Sequence, residues 1–279
     1  MNRKTYTVKS PAKINIGLNV LNKRSDGYHN IETIFYPIKA YDEVKINIAK
    51  IDSPENKITV QTNPQAGING KNNICYQAVN LFLNIFKIRE KYRVEVNIKK
   101  KIPIGAGLGG GSSNAAAVLK VLSKYFKKDN NTLKIKNIAL KLGSDVPFFL
   151  LGKPAYATSR GEKLTVLPKF KVNYHILIVN PNIHVSTKWA YNELNIKYQK
   201  TKSKKSKERK LRKIENFKVT EADSFQNDFE EVVFKKFPAI KRIKDGLYKK
   251  GAVFSLMSGS GSSVFGFFDK NINRIPGKL

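Results

Sequence analysis

The sequence predicts a globular protein of mixed helices and strands whose pattern changes near residues 155–170. Three observations carry that expectation. Apolar residues make up 41% and aromatics 10%, enough for a packed core in a chain of 279 residues. Period-two and helical stretches alternate along the first half. A glycine-rich run, residues 105–111, joins a strand pattern directly to a helix pattern.

Taken in order, Ala12-Lys13-Ile14-Asn15-Ile16-Gly17-Leu18 alternates apolar and polar and reads as a strand. Residues 24–29 form a turn-rich loop with Asp26-Gly27 as the turn signal. Residues 31–38 and 44–48 read as two further strands. Asn72 is placed to cap a helix whose apolar face is Ile74, Ala78, Leu81, Phe82 and Ile85, and Val94, Val96 and Ile98 alternate as a strand. After the glycine run, a helix shows Ala115, Val118, Leu119, Leu122 and Phe126 on one face. Asn131 or Thr132 caps the next helix, which ends near Gly143. Beyond Gly161 come short strands at 163–166 and 175–179, then two helical segments and a closing strand.

Lysine and arginine total 52 against 21 acidic residues, a net charge of +31. Such a balance suits a polyanion partner. It also suits coding bias, since Lys, Asn and Ile are all abundant, and the positive field would in either case attract phosphorylated substrates. Residues 197–213 hold ten Lys/Arg and one Glu; they read as a solvated surface insertion or as a polyanion-binding arm. The single cysteine, Cys75, cannot make an intramolecular disulfide and suits a reducing, cytoplasmic setting. No apolar run follows the basic start, and the most apolar stretch, 146–151, is too short to span a bilayer, so neither a signal peptide nor a membrane segment is expected.

Backbone N–H groups surround a phosphate only where side chains leave room, and a following helix N-terminus adds a favourable dipole. Pro103-Ile104-Gly105-Ala106-Gly107-Leu108-Gly109-Gly110-Gly111-Ser112-Ser113-Asn114 therefore reads as a phosphate cradle. A flexible linker is the alternative, and the ordered patterns on both flanks speak against it. A Walker A loop is excluded, because Ser112 follows Gly111 and no lysine occurs before Lys120. Residues 105–110 match G-x-G-x-x-G, but 124–129 offer no second strand ending in an acidic residue, as the dinucleotide fold requires. No H-R-D or D-F-G element follows, which argues against a protein-kinase loop. Lys13 inside an apolar strand is either a snorkelling edge lysine or a functional cation, and Asn15 shares its face. Asp145, two residues before Pro147, either caps a short helix or serves as a base. His175 and His184 are too isolated for a metal site, and no Cys/His cluster exists, so no protein-held metal is expected.

The string Pro-x-Gly-x-Gly-Leu-Gly-Gly-Gly-Ser-Ser from Pro103 resembles the phosphate-binding motif of the GHMP kinases. Pro11-Ala12-Lys13-Ile14-Asn15 resembles that family's first conserved segment, and Met257-Ser258-Gly259-Ser260-Gly261-Ser262-Ser263 its third. The likeness reaches across nearly the whole chain and is weakest over 197–225. Three further features resemble the branch that phosphorylates 4-diphosphocytidyl-2-C-methylerythritol on the non-mevalonate route to isoprenoid precursors. They are Arg24-x-Asp26-Gly27-Tyr28-His29 through Glu32-Thr33, the triple glycine before Ser112-Ser113-Asn114-Ala115-Ala116, and Gly143-Ser144-Asp145-Val146-Pro147-Phe148-Phe149.

The resemblance implies an α+β, two-domain GHMP kinase fold. Residues 1–160 would be the ribosomal-protein-S5-domain-2-like N-terminal domain, and 161–279 the ferredoxin-like C-terminal domain with the basic insertion. It implies ATP and Mg²⁺ as cofactors. The ATP phosphates would lie in the loop of Pro103, Gly105, Ala106, Gly107, Leu108, Gly109, Gly110, Gly111, Ser112, Ser113 and Asn114, braced by the loop around Gly259 and Gly261. Asp145 would accept the proton, with Lys13 as its cationic partner. Asn15 would hydrogen-bond the acceptor, Tyr28 and His29 would hold the cytidine, Thr187 would contact the acceptor, and Tyr191 would be the second face of a cytosine sandwich. His184 stands where a small or apolar residue is expected. The implied partner is a small molecule, with no nucleic acid and no membrane, and the chain is expected to be a monomer or weak homodimer. The rival expectations are a family member acting on homoserine, mevalonate or a sugar, and a basic nucleic-acid-binding protein without enzymatic activity.

Overall fold

A computed structural model describes residues 3–63, 70–130, 132–201, 218 and 224–271, with 195–201 by backbone alone. The chain packs into two compact units, neither contiguous in sequence. The first takes Met1–Ala12, Ile38–Ile104 and Gly109–Gly152; the second takes Lys13–Pro37, Gly105–Leu108 and Lys153–Leu279. Two long paired strands contribute to both: β1 (Arg3–Lys23) leaves the first unit after Ala12, and β2 (His29–Ile51) returns to it at Ile38. β2 is one strand where the sequence predicts two. Between the predicted segments Lys39, Tyr41 and Glu43 face solvent, and the inward position is Asp42, so the apolar signal lapses while pairing continues.

In the first unit, Val44, Ile46 and Ile48 of β2 lie antiparallel to Val94, Val96 and Ile98 of β4 (Lys91–Lys99), with Ile46 opposite Val96. β3 (Lys57–Asn63) runs parallel to β4. A parallel pair needs a crossover, and α1 (Ile74–Ile85) lies on it. The cap of α1 is Asn73, whose Oδ1 accepts the Cys75 N–H at 2.8 Å; the predicted cap, Asn72, closes a 3-10 turn at Gly70–Asn72. The buried face is Cys75, Ala78, Val79, Phe82 and Leu83, so of the predicted face only Ala78 and Phe82 are fully buried. α2 (Gly110–Tyr125) buries most of its circumference, with Ala115, Val118, Leu119 and Leu122 inward as expected and Phe126 half-buried at its end. α3 (Leu133–Leu142) is capped by Thr132 and ends at Gly143, as predicted; Asn131 lies outside the described residues. α4 (Val146–Leu151) follows.

In the second unit, β5 (Ala155–Thr158) and β6 (Lys163–Val166) form a hairpin, and β5 pairs with Thr33–Phe35 of β2. β7 (His175–Val179), β8 (Phe254–Met257) and β9 (Val264–Phe268) make an antiparallel sheet with β9 central. Among the described residues α5 (Thr187–Thr201), α6 (Phe229–Lys236) and α7 (Pro238–Lys249) stand where the sequence predicts two helices, because Phe237 alone separates α6 from α7. Two closing strands replace the single predicted one. The core joins Leu18, Val20 and Ile31 to Leu194, Phe229, Val233, Ile240 and Leu247 of the helices and to Val264 and Phe268 of the sheet. The basic stretch 197–213 begins in the last turn of α5, and from 202 it lies outside the described residues. Among the described residues no helix is long and apolar enough to cross a membrane.

Candidate active site

β1 enters the second unit at Lys13, and there residues 12–20 are all buried instead of alternating. A lysine 4% exposed must find partners for its ammonium. Its Nζ donates to Asn15 Oδ1 at 2.6 Å and to the Gly107 carbonyl at 3.0 Å, and lies 5.2 Å from the Phe35 ring centroid. The side chain therefore does not snorkel to water. Asn15 shares the face, as strand periodicity predicts. Its Nδ2 donates to Thr33 Oγ1 at 2.9 Å, Thr33 donates to the Gly17 carbonyl at 2.6 Å, and the Asn15 N–H donates to Ser258 Oγ at 3.3 Å. An amide held at one end by a buried hydroxyl thus turns its oxygen to the ammonium.

The Gly105–Leu108 piece of the glycine run lies beside them. Its Leu108 carbonyl accepts the Lys13 N–H at 3.0 Å. Gly107 has φ +76, and a Cβ there would lie 2.0 Å from the Ser258 carbonyl oxygen, so only glycine fits. Ser258 Oγ donates to the Gly107 carbonyl at 2.9 Å, and the Ser263 N–H donates to the Ala106 carbonyl at 3.2 Å. The second glycine loop thus braces the first, as expected. Asn227 holds the brace and was not foreseen: Nδ2 donates to the Met257 and Gly259 carbonyls at 2.7 and 2.8 Å, and Oδ1 accepts the Phe229 N–H at 3.0 Å. In sequence, Asn227-Asp228 before an apolar run signals only a helix start. His184 is exposed, with its ring against Gly105: a Cβ at Gly105 would meet His184 Nδ1 at 3.3 Å.

The same unit carries the predicted nucleoside contacts. His29 is buried and stacks on Tyr191, centroids 4.4 Å apart and planes 11° apart, while Tyr191 meets Phe229 edge-on at 4.8 Å. One face of Tyr191 is therefore filled by His29. Tyr28 is 53% exposed, and the Arg160 guanidinium lies 4.5 Å from its ring centroid. Thr187 opens α5, and its Oγ1 lies 2.7 Å from Ser260 Oγ, a hydrogen bond between the two hydroxyls. In the loop before Tyr28, Arg24 grips Asp26 through Nε and Nη2, and this hydrogen bonding holds the Asp26 carboxyl below the usual carboxylate range.

The first unit holds Pro103, Gly109, Gly110, Gly111, Ser112, Ser113, Asn114 and Asp145. Gly109, φ +71, caps α2, so the last two glycines and both serines lie inside the helix's first turn. Its leading N–H groups have no intrahelical carbonyl, and the helix dipole favours an anion there. Ser112 Oγ lies 3.9 Å from where a Cβ on Gly143 would sit, so the start of α2 and the Gly143-Ser144-Asp145 turn are neighbours. Asp145 occupies the cap position of α4, yet its side chain makes no capping hydrogen bond and its backbone is helical, φ −84° and ψ −17°. The capping alternative for Asp145 is thereby removed.

Ser113 and Asn114 turn inward, 1% and 2% exposed. Ser10 Oγ donates to Ser113 Oγ at 2.7 Å, and Asn114 Nδ2 lies 3.0 Å from both Ser10 Oγ and Asp42 Oδ2. Asp42, fully buried, also accepts from Lys100 Nζ at 2.5 Å and from the N–H groups of Lys101 and Ile102 at 2.7 and 2.9 Å. It ties the chain entering the glycine run to the helix leaving it, and the sequence reading missed it because a lone Asp between two strand patterns looks like a turn. Cys75 lies in the same interior, where burial pushes its thiol up to about 12. Among the described residues no group of three or more His, Cys, Asp or Glu could hold a metal ion.

Comparison with known proteins agrees with this arrangement of motifs. The family model of the GHMP kinases N terminal domain matches residues 73–153, and that of the GHMP kinases C terminal domain matches 209–275. The chain is 37% identical over 270 residues to the 4-diphosphocytidyl-2-C-methyl-D-erythritol kinase of Chlorobium limicola, covering 95% of this chain and 88% of that one. It is 39% identical over 260 residues to the protein of the same name from Parabacteroides distasonis, covering 93% and 90%. A crystal structure of 4-(cytidine 5'-diphospho)-2C-methyl-D-erythritol kinase superposes with a TM-score of 0.70 at 29% identity, covering 94% of this chain and 90% of that one. With both family models matched in order and this identity sustained from end to end, the chain belongs to the GHMP kinase family, whose two-domain fold of mixed helices and strands it shares.

Proposed function

We propose that this protein transfers the γ-phosphoryl group of ATP to the 2-hydroxyl of 4-diphosphocytidyl-2-C-methyl-D-erythritol. The observation that carries the reading is the likeness to kinases of that name, 37–39% identical over 93–95% of the chain. The division into an N-terminal domain, 1–160, and a C-terminal domain, 161–279, follows the spans of the two family models, 73–153 and 209–275; residues 13–37 and 105–108 nevertheless pack with the second compact unit.

Transfer to an alcohol requires an oriented hydroxyl, a proton acceptor and stabilisation of the phosphoryl charge. The hydroxyl oxygen bonds to the γ-phosphorus, the bond to the β–γ bridging oxygen breaks, ADP leaves, and the proton passes to Asp145. A carboxylate suffices as base when the proton moves late. The Asp145 side chain, unused as a helix cap, is the carboxylate of the motif that begins beside Ser112. Lys13, anchored by Asn15 and the Gly107 carbonyl, supplies a fixed positive charge to the transferring group. Residues 105–112 and the first turn of α2 cradle the phosphates, with Ser112 supplying the hydroxyl. Ser113 and Asn114 hold the helix end through Ser10 and Asp42.

Mg²⁺ characteristically binds phosphate oxygens plus one or two protein oxygens. The Ser112 hydroxyl at the start of α2 fits that use, so the ion would travel with ATP and neutralise phosphate charge, leaving Asp145 to act as the base. Tyr28 and the His29–Tyr191 stack are assigned to the cytidine, and Thr187 to the acceptor. A monomer or weak homodimer in the cytoplasm completes the proposal, and the lone buried Cys75 is compatible with a reducing compartment.

Phosphorus NMR of the product, made with Mg-ATP and the acceptor, tests the reaction: a phosphomonoester at the 2-position is expected. No monoester, or one at another carbon, would refute the assignment. Asp145→Asn should lower kcat about 10²- to 10⁴-fold and Lys13→Met about 10²- to 10³-fold. Retention of wild-type kcat in either variant would remove that residue's role.

A further inference from the structure

We infer that Arg160 is a positioning residue for the base of the acceptor's nucleotide: its guanidinium fixes Tyr28 from one ring face and leaves the other as a stacking platform. This rests on the acceptor reading above and adds to it a residue outside every motif that carried that reading.

Arg160 lies in the four-residue connection Ser159-Arg160-Gly161-Glu162 between β5 and β6. Ser159 has φ +63, an uncommon conformation for a side-chain-bearing residue, which persists where the surroundings over-determine it. Here they do. The Ser159 carbonyl accepts the Ile31 N–H at 2.7 Å, and Ser159 Oγ accepts from Arg24 Nη1 at 2.6 Å and donates to Glu162 Oε1 at 3.0 Å. Glu162 Oε2 accepts the Arg160 N–H at 2.7 Å, and its Oε1 lies 3.8 Å from Arg160 Nε. The Arg24 N–H donates to the Tyr28 carbonyl at 2.8 Å, and Asp26 Oδ1 accepts the Tyr28 N–H at 3.2 Å. Arg24 therefore locks both the turn that carries Arg160 and the loop that carries Tyr28. Across this locked pair the Arg160 guanidinium carbon lies 4.5 Å from the Tyr28 ring centroid.

Tyr28 is otherwise open, 53% exposed. An exposed tyrosine that must become ordered on binding loses rotamer freedom at that moment. A cation seated on one face orders the ring beforehand, and a pyrimidine stacks on the other. Loss of an exposed cation–π contact corresponds to about two- to fivefold in affinity.

The test uses CDP as probe, titrated by calorimetry into wild type, Arg160→Met, Arg160→Lys and Tyr28→Ala, with ADP as control and steady-state kinetics alongside. Arg160→Met should weaken CDP binding and raise the acceptor KM about two- to fivefold, leaving kcat and ADP affinity unchanged, and Arg160→Lys should recover part of the loss. Unchanged CDP affinity in Arg160→Met, with a clear loss in Tyr28→Ala, would overturn the role of Arg160 and leave the acceptor reading intact. Equal losses toward CDP and ADP would also overturn it, as a general structural defect. Wild type that binds no CDP would overturn the acceptor reading and this inference together.

Discussion

Lys13 and Asp42 are charged side chains buried inside strands, and they were not equally legible. Lys13 interrupts an apolar run, so its cost is visible in the sequence, and the face it shares with Asn15 follows from a period of two. Asp42 acquires meaning only through Lys100, the 101–102 backbone and Asn114, 58 to 72 positions away. Removing its carboxylate leaves Lys100 buried without its counter-ion. Asp42→Ala should therefore destabilise the protein by about 3–5 kcal/mol, measurable by urea unfolding, with a raised KM for ATP in the fraction that folds. A loss below about 1 kcal/mol would show that the pair is replaceable. Cys75 gives a second test at this scale. With its thiol pushed up to about 12 by burial, it should react with a thiol reagent at pH 8 only as fast as the fold opens. Rapid labelling of the native protein would contradict the burial.

Elements were legible where periodicity was clean and illegible where one residue changed its phase. The β4 alternation and the helix after the glycine run stand as predicted, whereas Asp42 hid the continuity of β2 and Phe237 hid the break between α6 and α7. The glycine run shows why residue type alone is not enough. Gly107→Ala puts a Cβ 2.0 Å from the Ser258 carbonyl and must part the two glycine loops, so kcat/KM should fall about 10²-fold. Gly111, inside α2 with nothing nearer than 4.0 Å, tolerates a methyl group. Gly111→Ala should raise thermal stability by about 0.5 kcal/mol. Wild-type kcat/KM in Gly107→Ala, or a loss of thermal stability in Gly111→Ala, would contradict the surroundings of these two glycines.

Glu230 links three elements, accepting from Lys244 Nζ of α7 and from the Met257 N–H of β8. Burial raises its carboxyl above the ordinary glutamate range, against the opposing pull of Lys244. A raised acid binds its proton more tightly in the folded state, so its contribution is fully present below the unfolded value. It is lost as the pH rises through the folded one. Glu230→Gln should remove that part of the pH dependence, so the stability of wild type relative to the variant should decline from about pH 4.5 upward. A difference that grows with pH over that window would reverse the assignment.

For the molecule as a whole, family membership was legible because three glycine- and lysine-bearing motifs keep their order across the chain. Asn227 and Arg160 were not, because each acts through groups distant in sequence, Gly259 and Tyr28 respectively. The net charge of +31 remains outside the motif argument, and its proposed benefit is attraction of anionic substrates. The identity of the acceptor is tested most directly by ADP release from Mg-ATP with 4-diphosphocytidyl-2-C-methyl-D-erythritol, mevalonate, homoserine and galactose in parallel, and Asp145→Asn beside the wild type. Turnover with the first acceptor alone, lost in the variant, is the predicted result; turnover with any of the others in its place would contradict it.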